Sequence, residues 1–318
     1  MLLKTVRIKN FREIKERVVE LKPGFNFIVG ENKKEKTAIL EAITIGLSGF
    51  TVDFQGVKTR NFAKEDVRYL DSAIQSKMHD KDAGFFTEIG IKAILFNDTY
   101  EWIRSKNSMN ESRGTIQPRD ICKQAVKLAS DTSNELPILA YYGMNRFHKQ
   151  VNSVEIFRKD YFRTVGYVDA LQDFFDIKLL LNWCIKMEVV AWQKGMKIAE
   201  YEAVRKAVSD FLHYFESNEN YAVFYDKYQE KMMCQKDDKI FAITDFDKDY
   251  QAIIWMVFDI AYRMAVLNPF MKENIAQTAG VVLIDEMDRG FSLYDKERME
   301  AALQKVFPNV QFIVTVEK

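Results

Sequence analysis

Cysteine is scarce: Cys122, Cys184 and Cys234 are the only three in 318 residues, and they stand far apart. That spacing excludes a disulfide framework and a C-x-x-C metal site, and it fits a reducing cytosol. Histidine is equally scarce. His79, His148 and His213 are scattered and read as ordinary surface or core residues rather than ligands. Net charge is absent, because 46 basic side chains meet 46 acidic ones. No global basic field therefore draws the chain to nucleic acid. No apolar run reaches the roughly 18 residues of a membrane span. Lys4, Arg7 and Lys9 interrupt any leader pattern at the start. The expectation is a cytoplasmic protein without a membrane partner. Internal repeats, low-complexity tracts and long heptad runs are missing, which excludes an extended coiled-coil arm. An HNH pattern and a Toprim-like acidic cluster are missing too, so a self-sufficient nuclease has no constellation behind it.

What the chain does have is apolar mass. Hydrophobic residues make up 47% of it, enough for one large core or a core with a satellite subdomain. The start reads as β structure, with Leu3, Val6 and Ile8 alternating with polar neighbours and Val18–Leu21 continuing the pattern. A turn at Pro23-Gly24 leads to the short apolar run Phe25–Val29, the polar stretch Gly30–Lys36, and a helical pattern over Thr37–Leu47. Glu88–Phe96 and Thr99–Arg104 read as a strand pair about a turn at Asn97-Asp98, Met109–Arg119 as a loop, and Ile138–Tyr142 as a buried strand. From Tyr167 to Phe215 the apolar residues recur at three- and four-residue steps, which predicts amphipathic helices. The aromatic stripe there, including Trp183 and Trp192, reads as core packing. Gln229–Lys239 reads as a loop, Ala252–Leu267 as an apolar helix, Val281–Ile284 as a buried strand, Asp295–Val306 as a helix and Val310–Val314 as a last strand.

Strand, polar loop, helix is the setting of a phosphate loop, G-x-x-x-x-G-K-[ST]. Its backbone N–H groups cradle phosphates, its lysine neutralises β/γ oxygens and its hydroxyl binds Mg²⁺. Gly30, Asn32, Lys36 and Thr37 are the candidate nucleotide-binding residues, and Glu35 stands where the second glycine belongs. A carboxylate there adds like charge beside the phosphates, partly offset by Lys33 and Lys34. The second half of such a site is the run Val281-Val282-Leu283-Ile284-Asp285-Glu286. Asp285 at the strand end is the candidate Mg²⁺ ligand together with Thr37. Glu286 is the candidate catalytic residue, which would orient the attacking water. The strands ending at Val29 and Ile284 are expected side by side in one mainly parallel sheet.

Ile8-Lys9-Asn10-Phe11-Arg12, the run FNFIVGEN and the segment GVVLIDEMD…PNVQFIVT resemble the two lobes of SMC/RecF-type ABC ATPase heads. Pro137–Arg146, Gly166–Leu171 and Trp183–Glu188 resemble the compact ATPases of anti-phage systems, namely Septu, retron-associated and OLD-like ATPases. The resemblance implies an α/β, two-lobed P-loop ATPase head with an inserted helical subdomain in place of the coiled coil. The expected division is an N-terminal lobe over 1–166, a helical insertion over 167–240 and a C-terminal lobe over 241–318. It implies ATP and Mg²⁺ as cofactors. It also implies a head-to-head dimer or larger complex as the assembly, with a nuclease effector subunit and nucleic acid as candidate partners.

Three further departures from the family pattern carry acid or lose a switch. The signature L-S-x-G is replaced by Phe246-Asp247-Lys248-Asp249-Tyr250-Gln251, so Asp247 and Asp249 stand where a serine and a glycine would hold the opposite head's nucleotide. Glu317 replaces the switch histidine, and Arg289-Gly290-Phe291-Ser292 follows Asp288 in place of the family's D-loop. In a partly dry site each like-charge contact costs on the order of 1 kcal/mol. The acidic residues therefore favour a head with weak or absent hydrolysis, a scaffold or regulator. Lys36, Thr37, Asp285 and Glu286 favour the alternative, an active ATPase whose dimerisation gates a nuclease effector.

Overall fold

The structure is a computed structural model, described here for residues 1–68, 86–106, 114–144, 162–173, 176–217 and 219–316. His79, Met109, Arg146, His148 and Glu317, named above, lie outside the described residues, as do Phe174 and Phe175 of the apolar pattern that starts at Tyr167. Two sheets enclose one helix. The first is antiparallel, in the order β2-β1-β4-β5-β6. Its strands are β1 (Leu2–Phe11), β2 (Ile14–Glu20), β4 (Thr87–Leu95), β5 (Asp98–Lys106) and β6 (Thr115–Gln117). Val6 and Ile8 alternate with exposed Arg7 on its inner face, and a register shift between Leu3 and Thr5 brings the fully buried Leu3 into the same core. The β4–β5 hairpin pairs Leu95 with Asp98, so its turn is Phe96-Asn97, one residue earlier than expected. The positive φ of Phe96 (56°) serves that two-residue turn. The expected loop 109–119 contains β6.

The second sheet is wholly parallel, in the order β3-β12-β11-β7, from β3 (Phe25–Ile28), β7 (Ile138–Tyr142), β11 (Gly280–Ile284) and β12 (Val310–Thr315). Its three longer strands are buried on both faces, which is why they read as mainly apolar runs, with Gln311 and Thr315 of β12 as the polar exceptions. Val281 and Leu283 join the core shared with the antiparallel sheet, while Val282 and Ile284 join the core under the later helices. The strands ending near Val29 and Ile284 are not neighbours as expected: β12 lies between them.

Helix α1 (Lys33–Thr51) is packed between the sheets. Gly46 lets it approach the antiparallel sheet, since a Cβ there would stand 2.6 Å from Ile91 Cδ1. Trp102 Nε1 donates to the Gly46 carbonyl at 2.8 Å and fixes the approach. Helix α2 (Asp120–Ser130) closes the same core.

The far face of the parallel sheet carries α3 (Ile177–Lys194), α4 (Ala199–Phe215), α5 (Lys248–Leu267) and α6 (Leu293–Val306). The expected helices within 167–215 form, but the first begins only at Ile177, where Asp176 caps it. Trp183 is buried as expected, whereas Trp192 is 83% exposed and lies off the core. Gln229–Lys239 is not a loop: it runs through a meander of β8 (Tyr221–Asp226), β9 (Lys231–Lys236) and β10 (Lys239–Ala242). Met232, Met233 and Cys234 bury the middle of β9, and an Asp237-Asp238 turn closes it.

Among the described residues only Lys248–Leu267 has the length and mean apolarity to cross a bilayer, although Asp259 and Arg263 interrupt it. In the fold it is a core helix, with 83% of that stretch buried. It also carries a buried ion pair. Arg263 Nε donates to Asp259 Oδ2 at 2.7 Å, Tyr142 OH donates to the same oxygen at 2.8 Å, and Arg263 Nη1 donates to the carbonyls of Gly166 and Val168. Burial first, and the Asp259 charge second, push the Tyr142 phenol well above its usual pKa, so it remains a donor. Removing one member of a buried pair leaves the other charge uncompensated. Arg263→Ala should cost about 3–5 kcal/mol in urea unfolding, whereas a loss below about 1 kcal/mol would mean that water reaches Asp259.

Candidate functional site

The site forms where α1 begins, at the carboxyl ends of β3, β12 and β11. Asn32 caps α1: its Oδ1 accepts from the N–H of Lys34 at 3.0 Å and of Glu35 at 3.4 Å. The helix thus starts at Lys33, inside the expected phosphate loop. Two backbone donors of the cradle are satisfied by the chain itself.

One turn on, Lys36 is only 6% exposed, and its Nζ donates to the Val316 carbonyl at 2.6 Å. Thr37 Oγ1 donates to Asp285 Oδ2 at 2.7 Å. The other oxygen of Asp285 accepts from Thr315 Oγ1 at 2.5 Å, and Thr315 Oγ1 in turn accepts from the Glu286 N–H at 2.7 Å. Glu286 has φ 46°, the left-handed region, where a non-glycine residue persists only if its surroundings hold it. Its carboxylate lies 3.3 Å from Lys33 Nζ. Behind Asp285, burial first and the Asp285 charge second hold the Tyr141 phenol well above its usual pKa.

Lys36, Thr37, Asp285 and Glu286 are therefore brought into one constellation, with Asn32 at its rim. A hydroxyl and a carboxylate 2.7 Å apart, beside a buried ammonium, suit a hard Mg²⁺ ion and phosphate oxygens. The donor set fits the implied cofactor.

Glu35 departs from expectation. Its carboxylate does not enter the cradle but pairs at the surface with Arg17 Nη1 at 2.8 Å. The first helical turn directs the side chain at this position toward β2, and β2 supplies the cation. Asp247 and Asp249 form a second cluster. Asp247 caps α5 by accepting from the Tyr250 N–H at 3.1 Å. Asp249 packs its carboxylate on Gly290, where φ is +81° and an added Cβ would stand 2.2 Å from Asp249 Oδ2. Tyr250 stacks on Phe246 and leans on Phe291, joining the two segments. Glu317 lies outside the described residues.

Sequence reasoning missed Thr315, the Val316 carbonyl and Arg17. Thr315 had a signal, as a hydroxyl that ends an apolar run; its place beside the acidic end of β11 comes from the strand order. Lys33 was read as a counter-charge for Glu35, but it serves Glu286 instead.

The family described as AAA domain matches residues 5–257. Over 74 residues, 23% of the chain, the sequence is 35% identical to "Retron Vc95 probable ATPase" of Vibrio cholerae, and the match covers 14% of that protein. Over 47 residues, 14% of the chain, it is 51% identical to the DNA replication and repair protein RecF of Salmonella typhi, covering 13% of it. The chain thus spans only about a seventh of the curated relatives it matches. Among solved structures, the SMC head bound to the C-terminal winged-helix domain of ScpA superposes with a TM-score of 0.55 at 14% identity, covering 100% of this chain and 90% of that one.

The outward Glu35 carboxylate yields a direct expectation. Exposed ion pairs are worth about 0–1 kcal/mol, so Glu35→Gln should change nucleotide affinity by less than about fivefold in a fluorescence titration. A gain of tenfold or more would mean that the carboxylate acts on bound phosphate.

Proposed function

The chain belongs to the AAA domain family and is an SMC/RecF-like ATPase head related to retron ATPases, and from that premise we propose a nucleotide-operated head with slow ATP turnover. It serves as a scaffold or regulatory subunit of a bacterial anti-phage or DNA-processing complex. The observation that carries this reading is the Thr37–Asp285–Thr315 chain of hydrogen bonds beside buried Lys36. It supports a nucleotide site already organised in a single head.

In this reading Gly30, Asn32 and Lys36 bind the phosphates, and Thr37 and Asp285 hold Mg²⁺. When bound, Mg²⁺ neutralises phosphate charge and steadies the leaving group. Glu286 orients the attacking water. Lys36 turns from the Val316 carbonyl to phosphate, and Asn32 releases the amides of Lys34 and Glu35. Each exchange sets an existing contact against a new one, which lowers net affinity. Asp247 and Asp249 stand at the surface a second head would present to the nucleotide of the first. Two carboxylates there disfavour the closed pair that hydrolysis needs.

The working assembly is a head-to-head dimer or a larger complex. A nuclease effector is a proposed partner, as the resemblance to compact anti-phage ATPases implies, and nucleic acid is another, by analogy with the DNA replication and repair protein RecF. We divide the chain at 166 and 240, into an N-terminal lobe, an insertion and a C-terminal lobe. Three buried thiols fit action in a reducing cytoplasm.

One observation favours the second reading, an active ATPase that gates the effector: the Glu35–Arg17 pair removes the acid nearest the cradle. Turnover separates the two. The wild-type chain should bind Mg-ATP but hydrolyse it more slowly than about 1 s⁻¹, the low end of ordinary enzymes, and Lys36→Ala should abolish binding. Hydrolysis faster than that, lost in Glu286→Gln, would establish the active ATPase.

A further inference from the structure

Lys33 is an unusual residue to find where it is. It stands at the fourth position of the phosphate loop, as the first residue of α1, with its side chain largely exposed. Its ammonium nevertheless reaches across to Glu286, 3.3 Å from Oε1. The Glu286 end of that contact is fixed. The residue is buried, its N–H is tied to Thr315, and its backbone is in the left-handed region. The Lys33 end is adjustable, being a flexible four-carbon stem at the mouth of the site. One partner is thus pinned and the other can leave.

From this asymmetry we infer that Lys33 is a positioning residue that senses the terminal phosphate of a nucleoside triphosphate and controls Glu286. The inference rests on the proposed nucleotide site and adds its regulation. While Lys33 is paired with Glu286, the carboxylate is held toward the ammonium and is a weaker acceptor for a water proton. Once a triphosphate is bound, Lys33 turns to the terminal phosphate, where the negative charge is larger. Glu286 is then released to take a water molecule. A diphosphate lacks that terminal group and leaves the Lys33–Glu286 pair in place. Lys33 thereby discriminates triphosphate from diphosphate with a side chain, at a point of the loop where Asn32 holds two backbone donors until nucleotide enters.

The test measures binding, so slow hydrolysis does not obscure it. The full chain is titrated with ribose-labelled ADP and with the labelled non-hydrolysable triphosphate AMP-PNP, both with Mg²⁺. The variants are Lys33→Gln and Lys33→Arg. Lys33→Gln should weaken AMP-PNP binding by about tenfold, the worth of one charged contact, while ADP affinity stays within about twofold. Lys33→Arg should restore most of the preference. Equal weakening of both ligands by Lys33→Gln, or no change in either, would overturn the sensor role while leaving the nucleotide site standing. Failure of the wild-type chain to bind either ligand would overturn the nucleotide site and the sensor with it. Thermal unfolding of each variant at the wild-type temperature certifies that the comparison is made between folded proteins.

Discussion

The buried carboxylate of Asp285 is the constraint on which the rest of the site depends. A charge with 1% exposure is tolerated only if each oxygen is hydrogen-bonded. Thr37 supplies one bond from α1 and Thr315 supplies the other from β12. A single side chain therefore locks the helix to two strands of the parallel sheet. The same demand passes to Glu286, whose N–H donates to Thr315 and whose backbone is held in a costly conformation. The insertion of β12 between β3 and β11 is what makes this possible. It places Thr315 and the Val316 carbonyl within reach of both halves of the site.

The consequence is a loop that is organised by its own chain. Asn32 takes two cradle amides, Val316 takes the Lys36 ammonium and Glu286 takes Lys33. In the proposed reading nucleotide competes with internal contacts of similar kind, and net affinity is the difference between two sets of hydrogen bonds. Asp247 and Asp249 are separately committed, one to capping α5 and one to Gly290. Any partner head meets a surface that is already ordered and acidic.

Much of this was legible in the sequence. The run Val281–Ile284 ending in two acids announced a strand buried on both faces with a charged tip, and the structure has that strand. The apolar spacing of Leu3, Val6 and Ile8 announced β structure at the start of the chain, which is β1. Other features were hidden for physical reasons. Strand order depends on contacts between segments hundreds of residues apart, so nothing local placed β12 beside β3. The β9–β10 hairpin was masked because its buried residues are Met and Cys between lysines, with weak β character. The direction of Glu35 could not be read either, because the first turn of α1 and the cation on β2 decide it together. The fold was thus clearer than the site, since patterns report burial while charges answer to neighbours.

Amide hydrogen exchange across 30–37, with and without saturating Mg-ATP, tests the central claim most directly. If internal contacts give way to phosphate at this loop, the amides of Lys34 and Glu35 should change protection on ATP addition, together with the segment from Asp285 to Glu286. ATP binding that leaves both segments unchanged, with protection altered elsewhere, would contradict the account.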